Sequence, residues 1–264
     1  MMPFEIRSKN DDAPVLTSTD LWGKYAKPAS PTHWKEGRSA LELARAWTST
    51  PGQMPHEVTS ALADGPFADL QLAHGRAELK TPFPDGSAGP RNHDLVVVAT
   101  CSRGNVLLDV EGKERETFDR TLVQRWTKRE AAKPRSNIRP RILRWSSLLS
   151  GRYYDRLTAD LEPLRYQLFS GLAGSIRLAN IKHCTAAVFL VHQFEHAQPA
   201  PSLARMYDRN QRDLDAFTHW LNPALPLVGR GSGSLVVRIL RAGESNSLFD
   251  GVELYVAKAV RKLP

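Results

Sequence analysis

The spacing of apolar residues changes character several times along this chain. Residues 38–49, RSALELARAWTS, place Leu41, Ala44 and Trp47 about one turn apart, with Ala40 and Leu43 beside them. That period predicts a helix, with Ser39 as its N-cap and Pro51 beyond its end. Residues 55–63 predict a second, short helix with Pro55 at its first position and Val58, Ala61 and Leu62 on one face. Residues 67–80 partly alternate and suggest one or two strands, and the turn-rich segment TPFPDGSAGPRNH follows. Then come two β-branched runs, DLVVVATC at 94–101 and VLLDVEGK at 106–113, joined by SRGN. They predict an antiparallel hairpin, and their near-continuous apolar content predicts that both faces are covered. Helical spacing returns at 118–131, with Phe118, Leu122 and Trp126 on one stripe, and at 142–158, 162–181 and 205–221. Residues 183–194, 235–240 and 252–260 read as strands, and KPRSNIRPR at 133–141 as a loop. Helices before and after a hairpin, with further strands behind, predict an α/β fold: a mixed central sheet flanked by helices. Residues 1–37 show no sustained period. They are expected to form a partly ordered N-terminal arm, pinned by Leu21, Trp22, Tyr25 and Trp34, ahead of a single domain over 38–264.

Composition narrows the class. With 264 residues, 41% hydrophobic and 24% charged, the chain is neither collagenous, coiled-coil nor fully disordered, and can bury a sizeable core. No apolar run approaches the roughly 18–20 residues of a membrane span. The first residues lack the apolar stretch of a secretory signal. Two cysteines, Cys101 and Cys184, make neither a disulfide framework nor a zinc spacing, so a cytoplasmic location is expected. The charge is uneven. Lys and Arg number 36 against 28 Asp and Glu, a net +8, and residues 113–144 hold eleven basic against four acidic residues. Arg120, Arg125, Lys128, Arg129, Lys133, Arg135, Arg139 and Arg141 are the candidates there for contact with nucleic acid, with Trp126 and Trp145 interleaved. A solvated helix face is the plainer reading of such a run.

The hairpin carries the candidate chemistry. Asp94 opens its first strand, while Glu111 and Lys113, separated by Gly112, end its second. Residues two apart on a strand share a face, so Glu111 and Lys113 point the same way, and the turn brings Asp94 back toward them. Two carboxylates at one point repel unless a cation lies between them, and hard oxygen ligands suit Mg²⁺ or Mn²⁺ better than zinc. A neighbouring lysine orients or deprotonates a water and offsets phosphoryl charge. Gly112 is expected to admit a metal to the backbone and to offer its carbonyl as a ligand.

Asp94, sixteen residues, then Glu111-Gly112-Lys113 resembles the D…(D/E)xK signature of the PD-(D/E)xK phosphodiesterase superfamily, which includes restriction enzymes, junction resolvases and repair nucleases. More narrowly, GRSALELARAW, HDLVVVA, VEGKERETF and LRYQLFSGLAGSI resemble an uncharacterised bacterial branch of it. The resemblance spans roughly residues 33–195 and departs from the pattern at His93, where the signature has proline. It implies a restriction-endonuclease-like core and a Mg²⁺- or Mn²⁺-dependent nuclease acting on DNA or RNA. It assigns Asp94, Glu111, Gly112 and Glu42 to the metal, and Asp94, Glu111, Lys113 and Gln167 to catalysis, with Glu116 following the lysine. The alternative is the same fold without catalysis, holding nucleic acid through its basic stretch.

Two other strings compete. His192-Gln-Phe-Glu195-His196 matches the H-x-x-E-H zinc pattern, but that chemistry needs one helix face, and TAAVFLV before it predicts a strand. Gly229-Arg-Gly-Ser-Gly-Ser234 reads as an inter-strand turn rather than a phosphate loop.

Overall fold

A computed structural model describes residues 4–10, 12–28, 31–63, 66–83, 90–133, 137–223, 235–239 and 251–264. Its elements are β1 (Glu5–Ser8), α1 (Thr19–Tyr25), α2 (Ser39–Thr48), α3 (His56–Leu62), β2 (Gln71–Thr81), β3 (Arg91–Cys101) and β4 (Gly104–Lys113). There follow α4 (Leu122–Ala132), α5 (Ile138–Ser150), α6 (Tyr166–Ile181), β5 (Ala186–His196), α7 (Pro201–Leu221), β6 (Leu235–Ile239) and β7 (Glu253–Leu263). The strands form one sheet in the order β1-β2-β3-β4-β5-β7-β6. β2, β3 and β4 meander antiparallel, β4, β5 and β7 run parallel, and β6 returns antiparallel on β7. This is the mixed, helix-flanked sheet that the sequence periods predict. The Gly229–Ser234 string and Arg135 lie outside the described residues.

The apolar runs are continuous because the sheet is covered twice. On one side Leu95, Val97, Leu108 and Val110 pack with Leu43 and Trp47 of α2 and Val58 and Leu62 of α3. On the other, Val96, Leu107, Phe189 and Val256 pack with Trp145 of α5, Leu172 and Ile176 of α6, and Phe217 of α7. α6 lies very close to the strands. A Cβ at Gly171 would come within 2.5 Å of the Phe189 ring, and one at Gly174 within 2.7 Å of Arg91 Cγ. Glycine at these positions is what lets the helix settle onto the sheet.

Several local expectations change. The residues before 38 are not merely an arm. β1 adds a parallel edge strand to β2, and Trp22 of α1 is buried in the α2-side core. Too few apolar residues occupy β1 for a period to be visible. Arg38, not Ser39, is the N-cap of α2, and the Ser39 hydroxyl instead donates to Glu116. Pro55 is a cap rather than the first helical residue of α3. The helix expected over 142–158 ends at Ser150, where Gly151 takes a left-handed φ of 70°.

The alternation of faces slips at one level of the sheet. In β2, Ala77 faces the α2 side but Leu79 packs on the α6 side. In β3, Leu95 faces the α2 side but His93 lies against Gly174 of α6. The pivots are Glu78, which holds a φ of +54° rare for a side chain with a Cβ, and Asp94.

Candidate active site

Asp94, Glu111 and Lys113 meet at the end of the β3–β4 hairpin. Backbone pairing of the two strands stops at Leu95 with Val110. One step beyond, the Asp94 carboxylate replaces a ladder partner by accepting the Gly112 N–H at 2.9 Å. Glu111 and Lys113 share a face, as their spacing requires, and Lys113 Nζ donates to Glu111 Oε1 at 2.9 Å. Gln167, in the first turn of α6, also donates to Glu111 Oε1 through Nε2. Its own Oε1 takes the Asp119 N–H at 3.2 Å, which fixes the orientation of the amide. Glu116 stands 3.8 Å from Lys113 Nζ.

Two participants carry no signal in the hairpin spacing. Arg91 donates to Glu111 Oε2 through Nη2. Glu78 lies within electrostatic reach of both Asp94 and Glu111, and Asn92 Nδ2 donates to it at 2.9 Å. Arg91 lies inside the turn-rich segment TPFPDGSAGPRNH, whose composition reads as loop, although β3 begins there. Glu78 reaches the cluster only through its unusual φ.

Charge is the governing feature. Burial would raise the Glu111 carboxyl, but the Lys113 and Arg91 cations outweigh it and hold the group down at about 2. Burial, and then the Glu111 charge, hold Asp94 well above the ordinary carboxylate range. Burial works against the Lys113 ammonium, yet Glu111, Glu116 and Asp94 raise it overall. The raised ammonium favours the first of the two expected roles, orienting a water and neutralising an oxyanion, over accepting a proton.

Two further expected ligands have protein partners of their own. Glu42 is buried on α2 but pairs with Arg45 at 2.9 Å. Gly112 turns its N–H to Asp94, and a Cβ on it would meet Ser39 and Leu43 of α2 at 3.4–3.6 Å, because neighbouring strand residues face opposite sides. It therefore clears no room on the carboxylate face.

Beneath the cluster lies a buried polar row. His93 Nδ1 is 2.8 Å from Asp109 Oδ1, His93 Nε2 is 2.9 Å from Thr81 Oγ1, and Ser175 Oγ donates to Asp109 Oδ2 at 2.6 Å. The residue that departs from the resembled signature, His93, thus ties β2, β3 and β4 together directly under the charged groups, and Ser175 joins the row from α6.

The basic stretch divides in two. Arg120, Lys128, Arg129 and Lys133 are exposed on or beside α4. Arg125, Arg139 and Arg141 lie over the rings of Tyr166, Trp126 and Phe83, at 4.9, 5.2 and 4.7 Å from the ring centroids. Trp145 is buried. Trp145 is therefore taken up by the core, while half-buried Trp126 has the exposed Arg139 over its ring. The H-x-x-E-H string is strand, as its context predicts: buried His192 bonds Glu57 at 2.9 Å and His196 bonds Glu114 at 3.0 Å. An apolar groove of about 560 Å³ among Phe4, Met54, Phe67 and Leu72 includes none of these charged residues.

A divalent cation is the group that the resembled signature calls for, and the donors suit one. Two carboxylates that disfavour each other's charge gain from an intervening cation, and Mg²⁺ is commonly held by one or two carboxylates with water and substrate oxygens completing its shell. Among the described residues no group of three or more His, Cys, Asp and Glu side chains is placed to hold a metal ion, so Asp94 and Glu111 are the two acidic donors on offer.

Fold and site together define an α/β/α protein with a dense, buried charge cluster at the end of a β-hairpin. A family profile matches residues 14–263, nearly the whole chain, and the chain belongs to that family, the domain of unknown function DUF6946. No curated protein and no solved structure matches it. Among the described residues no helix is long and apolar enough to cross a membrane.

Proposed function

We propose that this protein is a Mg²⁺- or Mn²⁺-dependent phosphodiesterase of the PD-(D/E)xK kind that cleaves nucleic acid. The observation that carries the reading is the gathering of Asp94, Glu111, Lys113 and Gln167 at one sheet end, with Lys113 Nζ 2.9 Å from Glu111. Asp94 and Glu111 would hold the metal. When bound, the ion would supply Lewis-acid polarisation at the phosphodiester. Lys113 remains an ammonium that orients the attacking water and offsets charge on the phosphoryl oxygens. Gln167 keeps Glu111 in place through an amide whose other end is fixed by Asp119. Arg120, Lys128, Arg129 and Lys133 follow the phosphate backbone. The reading places the protein in the cytoplasm, where Cys101 and Cys184 remain thiols.

A second reading has a specific observation behind it. Both oxygens of Glu111 already accept bonds from protein cations, which would suit an inert module that only binds nucleic acid. Plasmid, single-stranded DNA and RNA incubated with Mg²⁺, Mn²⁺ or EDTA separate the two. Metal-dependent cleavage lost in Lys113→Ala and Asp94→Ala supports the hydrolase, while salt-sensitive binding without cleavage supports the module.

A further inference from the structure

Glu111 Oε1 accepts from Lys113 and Gln167, and Glu111 Oε2 from Arg91 Nη2. Arg91 is built into this position. Its side chain is only 10% exposed, and its stem occupies the hollow left by Gly174, where any Cβ would collide with it. Besides Glu111, the charges of Asp109 and Asp94 face it. Yet its satisfaction is incomplete: among the described residues Nε is buried without a hydrogen-bond partner. A guanidinium so placed supplies the positive charge that a buried carboxylate pair requires, but it does not use all of its donors.

Resting on the metal-dependent reading above, we propose that Arg91 is the resident counter-ion of the Asp94–Glu111 pair and gives up Glu111 when a divalent cation enters, so that Arg91 sets the metal affinity of the site. Removing one partner of a buried ion pair leaves an uncompensated charge, so Arg91 protects the metal-free protein. An incoming ion at Glu111 Oε2 has to compete with the Arg91 guanidinium for that oxygen and is repelled by its charge, and the strength of the Arg91 contact is subtracted from metal binding. Lys113 does not compete in this way, since it holds the other oxygen.

The test is Mn²⁺ binding to the full chain after stripping with EDTA, read from the electron-paramagnetic signal of free Mn²⁺. Arg91→Gln is expected to bind Mn²⁺ at least tenfold more tightly than the wild type, and to gain more in Tm on adding Mn²⁺. Arg91→Lys, which keeps the charge but not the planar fork, is expected to fall between them and covers the case in which Arg91→Gln does not fold. A purely structural role for Arg91 predicts the opposite, namely weaker binding in both variants. Unchanged or weaker binding in folded variants overturns the proposal while leaving metal-dependent hydrolysis standing. Absence of Mn²⁺ binding from every form overturns both. Tighter binding without cleavage of any nucleic acid removes the hydrolase reading and leaves the counter-ion role in place.

Discussion

Asparagine in place of Asp94 keeps the size of the side chain and the oxygen that accepts the Gly112 N–H at 2.9 Å, and removes the charge. In the metal-free protein that charge is a liability, because burial and the neighbouring Glu111 carboxylate hold the Asp94 carboxyl well above its ordinary range. An acid whose folded pKa is raised binds its proton more tightly in the folded state. Its favourable contribution is therefore complete below the unfolded carboxylate range, near pH 4, and is lost as pH rises through the folded value. Asp94→Asn should accordingly melt with the wild type at acidic pH and above it at pH 7. Relief of an unfavourable charge commonly stabilises by about 0.5–2 kcal/mol. For a chain of this size that corresponds to a Tm rise of about 1–8 °C in EDTA. Saturating Mn²⁺ should reverse the order, because only the wild type offers both carboxylates. Differential scanning calorimetry at two pH values, with EDTA or Mn²⁺, reads all four states. If Asp94→Asn melts below the wild type at pH 7 in EDTA, the charge of Asp94 is satisfied by the protein alone and the reasoning from repulsion is wrong.

Other outcomes follow from the same cluster. Lys113→Met should lower cleavage of a chromogenic phosphodiester with Mn²⁺ by about 10²-fold or more, as loss of a charge-stabilising donor does, while Mn²⁺ binding persists. Glu111→Gln strands Lys113 and Arg91 without their shared carboxylate and should lose about 3–5 kcal/mol in urea unfolding at pH 7. Because the Glu111 carboxyl is held down at about 2, its stabilisation is present above the ordinary carboxylate range and should disappear in acid titration between about pH 4 and 2. Reversing Lys128, Arg129 and Lys133 to Glu should weaken nucleic-acid binding across sequences and flatten its dependence on log salt by about one unit per lost phosphate contact, whereas Arg139→Gln, whose guanidinium covers Trp126, should change that slope less.

The central sheet was legible because its apolar runs are long and its turns carry glycine; Asp94, Glu111 and Lys113 were legible because a hairpin of fixed length returns them to one place. What escaped did so for local reasons. β1 is four residues long and borrows its stability from β2, so no period announces it. Ser39 has the chemistry of a cap, but its hydroxyl is taken by Glu116, a contact between residues 77 apart in sequence. Gly112 was expected to open the backbone to a metal, yet the space left by its missing Cβ lies toward Ser39 and Leu43 of α2, because neighbouring strand residues face opposite sides. The aromatic residues in the basic stretch suggested stacking platforms, and sequence could not distinguish a free ring from one covered by the chain's own arginine. Glu78 and Arg91 required the face slip at Glu78 and Asp94, which strict alternation forbids.

That slip bears on whether the cluster is a site or only an ion-pair network. Buried ion pairs are poor stabilisers, since apolar side chains of similar volume usually serve as well. A left-handed φ on a glutamate is unfavourable, and so is a carboxylate held against its like charge. In this fold all three features fall at one level of the sheet, at Glu78, Asp94 and Glu111. The row of His93, Asp109, Ser175 and Thr81 directly below binds three strands and α6 into a support for that level. A core selected for stability alone would have spread such departures out or removed them. Their coincidence, braced from beneath and neutralised by a buried arginine, is the arrangement expected where stability has been given up for a ligand's charge.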